Sequence, residues 1–107
     1  MLFRSDNRRV SRVRFLAEAE AEFLQEVAYY AERQPNGAVR FRAAVETATA
    51  RALAFPKAGP LYLVRTRRVF VRGYPFFLVY REEPEGIAVF ALVHESRRPG
   101  YWSSRAR

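Results

Sequence analysis

The sequence predicts an α+β fold, an antiparallel helical hairpin packed on a small, mainly antiparallel curved β-sheet, in the order β-α-α-β-β-β. Three observations predict it. Apolar residues recur at helical spacing across residues 17–55, with one break at Pro35-Asn36-Gly37. Extended runs rich in β-branched and aromatic types follow within residues 65–94, separated by turn signals. The last of them, Ile87-Ala88-Val89-Phe90-Ala91-Leu92-Val93, is apolar without interruption, as suits a strand buried on both faces. One sheet layer with helices on one face is the simplest arrangement that buries both helical stripes and the strands.

Residues 1–9 carry no periodicity and read as a flexible basic leader, which leaves 10–105 as a single domain. Residues 10–16 alternate as a strand, Val13 and Phe15 facing one way and Arg12 and Arg14 the other. From Ala17 the period lengthens. Ala19, Phe23, Val27, Tyr30 and Ala31 share one helical face, while Glu18, Glu22, Glu26 and Glu32 lie elsewhere, the early ones near the positive end of the helix dipole. A second amphipathic run places Phe41, Val45, Ala48, Ala52 and Phe55 together and stops at Pro56. A break this short implies an antiparallel hairpin, and the many alanines allow close packing.

Residues 57–60 form a loop and 61–64 an extended lead-in. Residues 65–72 alternate as a strand, with Val69 and Val71 opposite Arg68, Phe70 and Arg72. Gly73-Tyr74-Pro75 turns the chain into a strand at 76–81. Glu82-Glu83-Pro84-Glu85-Gly86 is a polar hairpin loop, and a strand at 87–94 closes the set. The central strand is 76–81 or 87–94. The sheet face away from the helices is expected to be concave, partly open and lined by arginine.

A chain of 107 residues is one domain, and its 50% apolar content suits a packed globule. With no cysteine there are no disulfides or thiolate metal sites, which is compatible with a cytoplasmic location. No apolar run approaches the roughly 20 residues of a membrane span, and residues 1–16 lack the apolar stretch of a signal peptide. Nineteen Lys and Arg face eleven Asp and Glu, for a formal net charge of +8. Guanidinium suits bidentate contact with phosphate or carboxylate, so nucleic acid or an acidic protein segment is the expected partner. Solubility alone is the competing explanation. The helical residues 17–56 balance at −2, residues 57–107 at +6 and residues 1–16 at +4, which puts the basic surface on the strands and the two ends.

Candidate chemistry gathers where the apolar strand ends. His94 is the sole histidine, followed by Arg97, Arg98, Tyr101 and Trp102. It could serve as general acid or base in phosphodiester cleavage, with an arginine stabilising phosphate charge. It could instead bond backbone and fix the C-terminal segment, and on sequence alone this structural role is favoured. One histidine, no cysteine and no clustered aspartate supply too few ligands for a metal. No Gly-rich phosphate loop or nucleophile elbow appears, so no cofactor is expected. Arg65, Arg67, Arg68, Arg72 and Arg81, interleaved with Tyr74, Phe76 and Tyr80, could grip phosphates and stack on bases, or receive an acidic peptide. Edge-strand protection by charge competes for any single arginine. Tyr101 and Trp102 could stack on a ligand, but an aromatic pair near a terminus more often packs down as a lid.

The ordered set of these features resembles the RelE/ParE superfamily of toxins from type II toxin-antitoxin modules, which include plasmid stabilisation proteins. The likeness covers residues 10–105. It runs through the alanine-rich helix with Tyr29-Tyr30, the helix closing at Phe55-Pro56, the arginine strand, Tyr74-Pro75-Phe76-Phe77-Leu78-Val79-Tyr80, and His94-Glu95-Ser96-Arg97-Arg98-Pro99-Gly100-Tyr101-Trp102. The resemblance implies a growth-inhibiting protein neutralised by a cognate antitoxin, with operator DNA contacted only through that antitoxin. RelE-like members are implied to cut mRNA on the ribosome, and ParE-like members to inhibit DNA gyrase. If this chain is an endoribonuclease, the resemblance places catalysis on His94, Arg68, Arg81 and Tyr101. Target or antitoxin binding then falls to Arg65, Arg67, Arg72, Tyr74, Tyr80, Arg97, Arg98 and Trp102. The chain has one lysine, Lys57, and no carboxylate within 57–81, two departures from the nuclease pattern that favour the ParE-like reading.

Overall fold

The structure is a computed structural model and describes residues 12–107. The leader expected at 1–9 and the start of the strand expected at 10–16 lie outside the described residues. Strand β1 (Arg12–Phe15) leads directly into helix α1 (Ala17–Arg33), and helix α2 (Gly37–Ala54) returns beside it. Strands β2 (Leu61–Tyr62), β3 (Thr66–Val71), β4 (Phe76–Glu83) and β5 (Gly86–His94) complete the fold. The five strands form one sheet in the order β1-β5-β4-β3-β2, so β4 is the central strand. Only β1 runs parallel to its neighbour, β5, and the other pairs are antiparallel.

The helical hairpin covers one face of this sheet, as expected. Ala19 of α1 and Phe41, Val45, Ala48 and Ala52 of α2 pack on Val71, Phe76, Leu78, Tyr80, Ile87, Val89 and Leu92. Val13 and Phe15 join them from β1, while Arg12 and Arg14 point away and pair with Glu85 and Glu83. Glu18 and Glu20 in the first turn of α1 and Arg33 in its last both suit the helix dipole. The helices meet closely at Gly37, where a Cβ would lie 2.0 Å from the Tyr30 carbonyl oxygen, so the close turn requires glycine. Two residues placed on the apolar stripes by spacing lie outside them. Ala31 is exposed, and Phe55 is 68% exposed because α2 ends at Ala54 and the chain turns before the stripe continues.

The opposite face of the sheet differs from the expected open hollow. Its apolar residues Phe77, Val79, Ala88, Phe90, Ala91 and Val93 are covered by Trp102 and Ala106 from the C-terminal segment, with Tyr62, Val64 and Tyr101 packed around them. Seven uninterrupted apolar residues in β5 need cover on both sides, and the last dozen residues of the chain supply the second cover. The lead-in expected at 61–64 is extended only over β2. After β2 the chain makes a 3₁₀ turn at Leu63–Arg65, with Val64 and Arg65 at φ of 54° and 56°. That left-handed conformation is strained for a β-branched valine. The hairpin between β4 and β5 is tighter than the polar loop expected at 82–86. Glu83 pairs with Gly86, leaving two turn residues.

Candidate functional site

Strand register decides which candidate side chains can meet. Phe76, Leu78 and Tyr80 of β4 face the helices, so Phe77, Val79 and Arg81 face the other way. On β3, Arg68 pairs with Val79 and Phe70 with Phe77, which puts both on the face covered by the C-terminal segment. A bulge interrupts the β4–β5 ladder, because Val79 pairs with Ala91 but Tyr80 with Val89. Phe90 and Ala91 consequently lie on the same face, and the alternation resumes with Leu92 toward the helices. His94 therefore sits on the helix-bearing face, packed edge-on to Phe76 with ring centroids 5.1 Å apart. Arg68 and Arg81 are across the sheet from it.

Each of the four residues carried by the nuclease reading already has a structural role. The Ser96 backbone N–H donates to His94 Nδ1 at 3.1 Å, with Ser96 Oγ 2.9 Å away, so in the neutral ring the proton is assigned to Nε2. Arg81 donates to the carbonyls of Val64, Arg65 and Ala106, and its guanidinium lies over Phe90. It clamps the strained turn and the C-terminal segment at once. Arg68 stacks over Tyr62, 4.3 Å from the ring centroid, and over Phe77, and its buried Nε has no partner among the described residues. Tyr101 donates to Glu22 at 2.8 Å. Burial first, then the bond to Glu22, pushes its phenol well above the usual tyrosine range, so it is a poor proton donor at neutral pH.

The binding candidates are similarly divided. Trp102 is fully buried and packs against Tyr62 with centroids 5.7 Å apart, which makes it part of the core and removes it from any contact surface. Tyr80 is 1% exposed and donates to the Pro56 carbonyl at 2.8 Å; its phenol is pushed up by burial. Tyr74 packs edge-on to Tyr30 and Phe41 under the helices. Arg67 donates to the Gly59 carbonyl at 2.7 Å. Arg65, Arg72, Arg97 and Arg98 are exposed, Arg97 stacking on Tyr101 at 3.9 Å. Of the predicted surface, these four and the partly buried Arg68 remain available to a partner.

Spacing missed two residues that organise this region, Glu22 and Arg105. β1 ends opposite Val89, so the outer edge of β5 continues beyond it without a strand partner. Side chains close that edge. Glu22 accepts from the Leu92 N–H at 3.1 Å, Arg105 donates to the Phe90 carbonyl at 3.0 Å, and the Tyr101 hydroxyl lies 3.4 Å from the Leu92 carbonyl. Arg105 also grips Glu22 through both guanidinium nitrogens, at 3.0 and 3.1 Å. In sequence, Glu22 is one glutamate among several on a solvated-looking helix, and nothing marks it as the one that turns inward.

The family model of the ParE toxin of type II toxin-antitoxin systems, parDE, matches residues 13–99. The chain belongs to this ParE toxin family. No curated protein matches the chain. Membership as a ParE-family toxin implies an antitoxin partner and agrees with two helices on a five-stranded mixed sheet. The match runs from β1 through Pro99, so it includes Glu22 and both helices and stops short of Tyr101, Trp102 and Arg105. Among the described residues, no helix of this ParE-family chain is long and apolar enough to cross a membrane.

Proposed function

We propose that this ParE-family toxin arrests growth by binding DNA gyrase, without hydrolytic chemistry of its own, and is neutralised by a cognate antitoxin. One observation carries this reading: the four groups that RNA cleavage would require do not converge. His94 lies on one face of the sheet and Arg68 and Arg81 on the other, while Tyr101 holds its proton against Glu22. General acid–base catalysis needs its groups within hydrogen-bond reach of the same reacting atoms. Binding, by contrast, needs only surface, and the exposed arginines provide a basic one.

The test is growth arrest after induction in cells. His94→Ala is expected to arrest growth as fully as the unaltered chain, with transcripts intact. Recovery of growth in His94→Ala, together with transcripts cleaved by the unaltered chain, would instead establish the ribosome-dependent endoribonuclease reading. Harmless expression of the unaltered chain would point to an inactive basic binding module.

A further inference from the structure

Strand β3 is paired along most of its length on one side only. β4 accompanies residues 67–71, whereas β2 pairs with Thr66 and Arg67 alone, and the Pro60 carbonyl takes the Arg68 N–H at 3.2 Å. From Val69 onward no described strand lies beside this edge. Alternate residues of an antiparallel strand direct their N–H and C=O to the same side, so Phe70 turns both groups outward, as Arg68 does. A contact from α2 agrees with that direction, since Arg51 Nη2 donates to the Phe70 carbonyl at 2.6 Å. The Phe70 N–H has no such partner among the described backbone bonds.

A groove of about 290 Å³ lies between this edge and the end of α2, with Arg51, Phe55, Arg68, Phe70 and Arg72 in its lining. Phe55 is 68% exposed and Phe70 42%, and both of these large apolar side chains line the groove. No carboxylate among the described residues forms an ion pair with Arg51, Arg68 or Arg72, and residues 57–81 contain no Asp or Glu. Burial, followed by the nearby Arg72 charge, lowers the Arg51 pKa, so two guanidiniums share this place without a counter-ion. An unpaired strand edge, apolar anchors and uncompensated cations occur together, and each calls for a different feature of the same ligand.

We infer that the open edge of β3 receives an extended acidic peptide as a sixth strand, its backbone paired with Phe70 and its carboxylates held by Arg51 and Arg72. A second copy of this chain would bring the same guanidiniums against themselves. A nucleic acid would satisfy the cations but offers no strand backbone for the Phe70 N–H and C=O. The open stretch takes about four residues, roughly 13 Å of extended chain. The source is the antitoxin, so the inference rests on the toxin-antitoxin reading and adds to it where and how that partner docks.

Amide hydrogen exchange on the unaltered chain, free and bound to its antitoxin, reads the backbone pairing without any mutation. The Phe70 amide is expected to exchange at least tenfold more slowly in the complex. Affinity measured by calorimetry is expected to fall at least tenfold in an Arg51→Met, Arg72→Met double variant and to stay unchanged in Arg40→Met, an exposed cation outside the groove. An unprotected Phe70 amide in a complex whose affinity ignores the double variant overturns the inference while leaving the antitoxin partner in place. Absence of any complex overturns both. Protection of Phe70 by a single-stranded oligonucleotide and not by the antitoxin would assign the edge to nucleic acid and also overturn it.

Discussion

Glu22 shows how a single carboxylate can join three parts of a chain. It accepts from the Leu92 backbone, the Tyr101 hydroxyl and both Arg105 nitrogens, with its side chain only 21% exposed. Removing it leaves the Arg105 charge and the Leu92 N–H without their partner. Glu22→Ala is expected to destabilise the protein by about 2–3 kcal/mol in urea unfolding, in the range for a lost charged hydrogen-bonding partner. A loss under about 0.5 kcal/mol would show that the network contributes nothing. Tyr101 gives the same site a pH signature. Its folded pKa is raised by burial, so the folded state keeps a proton that the unfolded chain gives up above the ordinary tyrosine value of 10.0. Stability from this group is present below pH 10 and falls as pH rises above it. Alkaline unfolding followed between pH 9 and 12 should therefore be shallower in Tyr101→Phe.

Alternation in the sequence correctly set Arg68 and Phe70 opposite Val69 and Val71, and Val13 and Phe15 opposite Arg12 and Arg14. The grouping of His94 with Arg68 and Arg81 came from the resemblance and took no account of strand faces. The pairing, with two turn residues in the hairpin and a bulge at Phe90, sets His94 opposite Phe76 on the helix-bearing face. A one-residue change in register moves every later side chain to the other face, and a bulge leaves no mark in an all-apolar run.

At the scale of elements, the C-terminal segment is a layer of the fold in its own right. It lays Trp102 and Ala106 on the sheet face that the helices leave bare, and Arg81, Arg105 and Tyr101 hold it there. Trp102→Ala is expected to cost about 3–5 kcal/mol, because a fully buried indole is replaced by a cavity. Thermal unfolding and binding of an apolar dye would read this, and an unchanged melting temperature would refute the packing role. The helices, the four longer strands and their order were legible because each stretch has a pattern of its own. The cover on the second sheet face was not, since the final segment is a 3₁₀ turn among irregular residues and has no period to read. The continuous apolar run in β5 did announce that a second cover must exist. The short β2 was legible only as part of the extended lead-in at 61–64: two residues carry no alternation, yet their brevity is what leaves the edge of β3 open.

At the scale of the whole molecule, a net charge of +8 is carried by a surface in which several arginines are already committed to carbonyls and aromatic rings. The candidate site read from composition therefore separates into fasteners, such as Arg81 and Arg67, and exposed cations, such as Arg72, Arg97 and Arg98. Composition counts charges but does not say which ones the fold uses. What remains at the surface is a set of exposed cations suited to an anionic or acidic partner. The most direct measurement is supercoiling of relaxed plasmid by purified gyrase in the presence of the purified chain. Inhibition is expected to be equal for the unaltered chain and His94→Ala and to be abolished by the antitoxin. Undiminished supercoiling, with message cleaved in a ribosome-containing extract by the unaltered chain and not by His94→Ala, would contradict that expectation.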